Sequence, residues 1–293
     1  LLTSAYAQQK KYNIVFKQIK PGVWFAKGYE EEVNPKNGGF IANIGLIIGE
    51  KSCLVIDAGP TRKYGEQLIN EIKKITKTPI KYLVLTHRHF DHSFGLEAFA
   101  LKEIEILMHP KEFESLVIEG PPFYKILSNN IGNYWTEGTL EHISSINITK
   151  ITKNTKIDLG SRLVDIISFE VAHTSGDLGV LDNKSGAFFS GDLVFVNRAA
   201  TTTNANIKKW KDQLLLIKNI NWNYLIPGHG SVISNPDRIA DTFNWLSYLE
   251  VLVNKAILDG DSVAEILELG IPEKFNNLKF APRTLMRDLA KQI

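Results

Sequence analysis

The sequence predicts an α/β fold in which two β-sheets pack face to face and helices cover their outer faces. Strand-like apolar runs fall into two halves of the chain, and both halves end in segments rich in histidine and aspartate. Helical and strand patterns alternate between residues 61 and 117, as is typical of one layer of an α/β sandwich. The 293 residues are 44% apolar, which is enough to bury a large core.

The first half of the chain contains strands on either side of an amphipathic helix. The predicted strands are 12–19, 23–27, 41–48, 52–57 and 80–85. Leu68, Ile69, Ile72 and Ile75 form one apolar stripe and predict a helix over 61–76. Shorter helices are predicted at 94–101 and 110–117, around a strand at 104–108. The polar segment 28–39 is either a hairpin connection or a flap over a site.

The second half is predicted to be rich in short strands and then helical. The strands are 148–152, 155–159, 163–171, 178–182, 187–190 and 224–226. Helices are predicted at 207–220 and 237–258, and helical spacing continues through 262–293. Because no sharp linker is visible, residues 8–293 are predicted to form a single domain with a C-terminal helical extension from about residue 237.

Composition and the N-terminal residues bear on location and partners. Ala5-Tyr6-Ala7 resembles the end of a secretory signal, which predicts a signal-peptide remnant at 1–7, a mature start at Gln8 and a periplasmic or secreted protein; an ordinary chain terminus is the alternative. The single Cys53 cannot form an internal disulfide. A net charge of +2 gives no argument for a nucleic-acid partner, and no later run is apolar enough to span a membrane.

The candidate site begins at the end of the strand 80–85. Thr86-His87-Arg88-His89-Phe90-Asp91-His92 places three imidazoles and a carboxylate within six residues, the ligand types that Zn²⁺ prefers. If the backbone is extended, His87 and His89 point to the same side and can hold one ion. Asp91 and His92, past the strand, can face a second. An adventitious histidine cluster is the alternative.

Three further ligand types occur where apolar segments give way to glycine or polar turns, the places from which loops present functional groups. They are His173, Asp192 and His229. The complete set resembles the metallo-β-lactamase superfamily, whose signature is H-x-H-x-D-H followed by a lone His, an Asp and a final His. The resemblance extends from Val23 to Val232.

The resemblance implies an αββα sandwich and two metal positions. His87, His89 and His173 would hold the first metal, Asp91, His92 and His229 the second, and Asp192 would bridge them. The expected cofactors are two Zn²⁺ ions, with iron or manganese as alternatives, and a metal-bridging hydroxide would be the nucleophile. Asp91 is the expected catalytic residue that orients it. Asp57 would lie behind the ligands and fix their orientation; an Asx-turn or a cap on the following helix is the alternative, and both roles are compatible.

The resemblance also bears on the reaction. The segments around 34–45 and 173–178 are similar to secreted metallohydrolases of the quinoprotein-relay and sulfur-oxidation type. An Asp at position 192 favours hydrolysis of an ester, thioester or lactone, since many true β-lactamases have Cys or Ser there. The alternatives are β-lactam hydrolysis, oxidation of persulfides by a single iron, and a non-catalytic metal-binding partner of a periplasmic redox system.

Substrate contacts can be predicted only in outline for a small-molecule substrate. Arg198 is the candidate anchor for a carboxylate, and Asn206 lies in the same polar segment after Asp192. Trp135 ends an aromatic-rich stretch from residue 120 that is either part of the core or an apolar wall of the pocket. His109 and His142 match no ligand position and are predicted to be structural and exposed, respectively. The oligomeric state is not predicted.

Overall fold

A computed structural model describes residues 11–293. The predicted signal remnant at 1–7 and the predicted mature start at Gln8 lie outside this range. Within it, the strands of the first sheet are β1 (Phe16–Lys20), β2 (Val23–Ala26), β3 (Ile44–Ile48), β4 (Cys53–Ile56), β5 (Ile80–Val84), β6 (Glu105–Met108) and β7 (Thr149–Lys150). These strands lie in sequence order; β1 to β4 pair antiparallel, and β4 to β7 pair parallel.

The second sheet is formed by the later strands of the chain. They are β8 (Thr155–Asp158), β9 (Leu163–Ser168), β10 (Leu178–Asp182), β11 (Ala187–Phe195) and β12 (Tyr224–His229). The order across the sheet is β12-β11-β10-β9-β8, and only the β11 and β12 pair is parallel among these described strands. The predicted ligands lie after β5, in the connection between β9 and β10, within β11 and at the carboxyl end of β12.

Helices cover the outer faces of both sheets. The helices of the described residues are α1 (Arg62–Ile75), α2 (Phe90–Ser93), α3 (Leu96–Ala100), α4 (Pro110–Ile131), α5 (Asn133–Thr136), α6 (Ile207–Asn219), α7 (Ile239–Asp259), α8 (Val263–Glu268) and α9 (Ala281–Gln292). The α1 boundaries follow from its sequence: the Thr61 hydroxyl accepts a hydrogen bond from the Tyr64 amide, and the apolar stripe is buried. Among the described helices, none is long and apolar enough to cross a bilayer.

Three layers of buried side chains hold this arrangement together. Between the sheets, Val23, Leu54 and Val84 of the first sheet share an apolar cluster with Val180 and Phe189 of the second. A second cluster lies between the first sheet and α1, α3 and α4, and a third lies between the second sheet and α6, α7 and α9. The architecture is therefore an αββα sandwich, as predicted.

Several element boundaries differ from the prediction. β1 starts at Phe16 rather than at residue 12, because the Tyr12 backbone pairs with the Gln67 side chain instead of a neighbouring strand. The prediction ended α4 at residue 117, whereas this helix continues through Pro121 and Pro122. Each proline removes one backbone donor, but Leu116, Leu127 and Ile131 are buried along one side of the helix and hold it in place.

Candidate metal centre

The predicted ligands converge at one edge of the sandwich. His87 and His92 follow β5 and are fully buried, and Asp91 lies next to His92 in α2. His173 lies between β9 and β10, and Asp192 and His229 lie within the last two strands. The loop after β5 therefore faces ligands from the other sheet.

We call His87, His89, His173 and Asp192 the first ligand group. Their ligand atoms lie within 4.8 Å of one another. His89 Nδ1 is 3.1 Å from His87 Nε2 and 3.0 Å from His173 Nε2. Asp192 Oδ2 is 3.8 and 3.5 Å from the same two Nε2 atoms. Ligands bonded at about 2.1 Å to a tetrahedral cation stand about 3.4 Å apart, so these separations suit one cation.

We call Asp91, His92 and His229 the second ligand group, and their ligand atoms also lie within 4.8 Å of one another. Asp91 Oδ2 is 3.7 Å from His92 Nε2 and 3.3 Å from His229 Nε2. Asp192 contacts this group as well, because Oδ1 is 3.2 Å from His92 Nε2 and Oδ2 is 3.4 Å from His229 Nε2. One carboxylate thus lies between the two groups.

The outer nitrogen of each imidazole has a partner that fixes the ring. The outer nitrogens of His173 and His229 lie 3.1 and 2.9 Å from the backbone oxygens of Thr201 and Ile41. A carbonyl can only accept, so these nitrogens carry the proton and donate it. In both rings the inner nitrogen points into the site, and with no proton on it this nitrogen has the lone pair that binds a metal.

Asp57 serves both ligand groups. Its Oδ2 lies 2.7 Å from His92 Nδ1, and both of its oxygens accept from the Thr86 hydroxyl at 3.0 Å. The same hydroxyl lies 3.0 Å from His87 Nδ1. The predicted orienting contact of Asp57 is therefore present. The helix-capping alternative is not, because Thr61 caps α1.

Burial and neighbouring charges lower the pKa of two histidine ligands and raise the pKa of another. Burial and the neighbouring imidazoles hold the pKa of His87 well below its ordinary value, and the pKa of His173 is lowered for the same reasons. Burial also opposes a charge on His92, but Asp192 and Asp57 raise its pKa well above the ordinary value. Without a cation, the second group therefore retains protons that a metal would replace.

The residues present fit divalent metal ions. Five imidazoles and two carboxylates are a donor set typical of zinc enzymes. His92 Nε2 and Asp192 Oδ1 are buried and lie 3.2 Å apart, and neither makes a hydrogen bond of good geometry within the described residues. Buried polar atoms without a partner are costly, and a coordinated cation would satisfy them.

Two glycines allow Asp192 to reach this position. Gly191 has a φ of +51°, a left-handed conformation, and a methyl group on it would lie 2.7 Å from Thr86 Cβ. A methyl group on Gly228 would collide with Asp192 Oδ1. The glycines that flank these ligands in the sequence therefore have a steric reason to be glycine.

The residues predicted to contact substrate lie in different surroundings. Arg198 Nη1 is 3.4 Å from His229 Nδ1, and its guanidinium lies 4.9 Å from the Phe280 ring centroid. Asn206 caps α6 by accepting from the Lys209 amide. Trp135 is in the core rather than in a pocket wall: it packs on Tyr12 and donates to a backbone oxygen. Of these three side chains, Arg198 is the one that contacts a metal ligand.

The two remaining histidines lie outside both ligand groups. His109 caps α4 by accepting from the Lys111 amide at 3.3 Å, which is a structural role. His142 is exposed. Both placements agree with the prediction.

The sequence does not predict the contacts of two side chains that support the ligands. Glu112 is fully buried and accepts from the Arg88 amide and guanidinium and from the Ser175 amide, so it joins two ligand loops. Asn204 Oδ1 lies 3.0 Å from His89 Nε2. Asn204 belongs to the polar segment expected just beyond Asp192, but no local pattern predicts either contact, because the partners are distant in the sequence.

Comparisons with known proteins agree with this geometry. A model of the metallo-beta-lactamase superfamily matches residues 37–229. The probable metallo-hydrolase YqjP of Bacillus subtilis (strain 168) is 23% identical over 216 residues, covering 65% of this chain and 67% of that protein.

Two solved structures share the fold. A metallo-beta-lactamase from Pontibacter korlensis aligns with a TM-score of 0.61 and 19% identity, covering 80% of this chain and 99% of that one. TMB-1 aligns with a TM-score of 0.61 and 18% identity, covering 81% and 98%. Because the family model spans more than half of the chain and includes every predicted metal ligand, this protein belongs to the metallo-beta-lactamase superfamily.

Proposed function

We propose that this protein is a zinc-dependent hydrolase with two metal positions that cleaves an ester, thioester or lactone bond in a small substrate. The observation that carries the proposal is the pair of buried ligand groups that meet at Asp192. A relative named as a probable metallo-hydrolase supports hydrolysis as the reaction class. The bond type rests on the carboxylate at position 192, as the family resemblance implies.

The residues of the site hold the histidine rings in position and provide a hydrogen-bond acceptor for the attacking water. When bound, divalent cations polarise a scissile carbonyl and lower the pKa of water to about 7. Burial opposes ionisation of Asp91, but His92 and His229 lower its pKa to about 2. Asp91 is therefore ionised at neutral pH and can accept a hydrogen bond from the attacking water. The anchored rings of His87 and His173 keep their lone pairs directed into the site throughout.

The surroundings favour a substrate with an apolar part and an anionic part. Phe90 directly follows His89, and its ring stacks on Phe123 with centroids 5.4 Å apart. Phe123 is 41% exposed, so this aromatic pair offers an apolar surface beside the first ligand group. On the other side, Arg198 lies against His229. We propose that Arg198 binds a substrate carboxylate and that the aromatic pair contacts an acyl or ring portion.

Two features of the site bear on the alternatives to this proposal. Asp91, His92 and His229 form a second buried ligand group, which supports two metal positions, although relatives that oxidise persulfides with one iron share the same His and Asp framework. A non-catalytic metal-binding module would have closed coordination, and His89 is partly exposed at the edge of the site. These observations favour a two-metal hydrolase.

Metal content and turnover measured together test the proposal. We expect two zinc ions per chain, and hydrolysis of a thioester or lactone in a panel that also contains a chromogenic cephalosporin and a persulfide. His173→Ala should lose the first metal and turnover while the fold remains, and His142→Ala, an exposed histidine outside the site, should behave as the wild type. One iron with oxygen consumption on the persulfide would refute the proposal.

A further inference from the structure

The C-terminal helix α9 carries a buried carboxylate outside the region matched by the family model. Asp288 is fully buried. The match to the family model ends at residue 229, before this helix begins. Its charged partner, Arg287, is 49% exposed in its side chain. Burying a carboxylate costs free energy, and an apolar residue would suffice if α9 needed only to pack. Packing of α9 alone therefore does not account for a carboxylate at this position.

Those contacts hold one segment of the second half of the chain. Asp288 Oδ2 accepts from the Thr202 amide at 2.5 Å, and Oδ1 accepts from the Thr203 hydroxyl at 2.9 Å. One turn later, Gln292 Nε2 donates to the Thr202 carbonyl at 2.5 Å. Helix α9 thus holds both the amide and the carbonyl of Thr202.

The same segment supports the first ligand group. The Thr201 carbonyl, adjacent to the Thr202 amide, accepts from His173 Nδ1 at 3.1 Å. Asn204 Oδ1 lies 3.0 Å from His89 Nε2. Two of the three imidazoles in this group therefore rest on residues 201–204. In the second group, the outer nitrogens of His92 and His229 contact Asp57 and Ile41 instead.

We propose that Asp288 is a positioning residue for the metal centre: by fixing the 201–204 segment, it holds the rings of His173 and His89 in the orientation that binds the first metal. The inference rests on the proposed metal centre and adds to it a role for the C-terminal helix. It also predicts that loss of Asp288 affects the two metal positions unequally, because the second ligand group does not contact this segment.

Zinc titration of the full chain against a chromogenic chelator tests this role. Asp288→Ala should weaken binding at the first ligand group by about 10- to 100-fold, the range found when partners behind metal ligands are removed. Binding at the second group should change much less. Asp288→Asn keeps one acceptor oxygen and the shape of the side chain, so it should retain an intermediate affinity, and it replaces the alanine variant if that variant does not fold.

A matched variant separates positioning from general stability. Leu285 is buried on the same helix, one turn away, so Leu285→Ala should lower the thermal midpoint and leave both zinc affinities unchanged. The inference is overturned if Asp288→Asn and Asp288→Ala titrate as the wild type, or if Leu285→Ala shows the same selective loss. Failure of the wild type to bind zinc would instead refute the metal centre itself, so the two failures are distinguishable.

Discussion

Thr86 offers a direct test of how the metal ligands are held. Its hydroxyl lies 3.0 Å from both Asp57 oxygens and 3.0 Å from His87 Nδ1. Because an ionised carboxylate only accepts hydrogen bonds, the hydroxyl donates to Asp57 and accepts from the His87 ring. Thr86→Val keeps the shape of the side chain and removes both interactions. His87 would then have a buried N–H group without an acceptor.

The size of the effect follows from these contacts. A buried donor left without a partner costs about 1–3 kcal/mol. Since about 1.4 kcal/mol is a factor of ten in affinity, zinc binding at the first ligand group should weaken about 10- to 100-fold. The second group should be less affected, because His92 Nδ1 retains its own 2.7 Å contact with Asp57. Turnover should fall in proportion to the loss of the first metal.

Zinc competition and substrate turnover, measured on the same preparations, form the assay. Thr136→Val is the matched control, since Thr136 is also fully buried and its hydroxyl bonds to Ser128, outside the ligand network. Both variants should lose stability, but only Thr86→Val should lose zinc affinity. Equal zinc affinities for Thr86→Val and the wild type would show that the hydroxyl does not orient His87.

Other expected outcomes concern stability. Zinc at about 100 times the dissociation constant of a site should raise the free energy of unfolding by about 2.7 kcal/mol, and a chelator should reverse the increase; an unchanged thermal midpoint would contradict this. Burial raises the pKa of Asp182, but hydrogen bonds from Arg162 hold it below its ordinary value. This carboxylate therefore stabilises the fold above about pH 4 and loses that effect as the pH falls, so the stability gap between metal-free wild type and Asp182→Asn should narrow in acid. Glu112→Gln weakens a buried ion pair with Arg88 and should cost up to about 3 kcal/mol in urea unfolding, whereas Glu119→Gln, at a side chain 55% exposed, should cost less than about 1 kcal/mol.

The ligand residues could be predicted because their information is local. Each lies where an apolar run gives way to glycine or a polar turn in the sequence, and such places commonly present functional side chains. The predicted boundaries of α1 were also accurate, since Thr61 and the apolar stripe specify that helix without help from the rest of the fold. In these places, local chemistry and tertiary structure require the same conformation.

Other features depend on contacts that no local pattern contains. The support of His89 by Asn204 spans 115 positions, and that of Ser175 by Glu112 spans 63. The prediction ended the strand of Asp192 at residue 190, yet β11 continues to Phe195 because it pairs in parallel with β12 as far as His229. The path of α4 through two prolines likewise depends on what its buried side contacts.

The position of the metal centre between the sheets has a mechanical consequence. Each ligand group takes residues from both sheets, so a bound cation would join the sheets at their open edge. Protein contacts already join them there: the Leu178 amide donates to the Thr86 carbonyl at 2.9 Å, and the Asn43 amide donates to the Gly228 carbonyl at 2.7 Å. Asn43 Nδ2 also donates to the Pro227 and Gly230 carbonyls, on either side of His229. The ligand loops are therefore held by hydrogen bonds between the sheets. Unlike a small zinc finger, whose fold depends on its ion, this protein should stay folded without metal and bind zinc in a site that already exists.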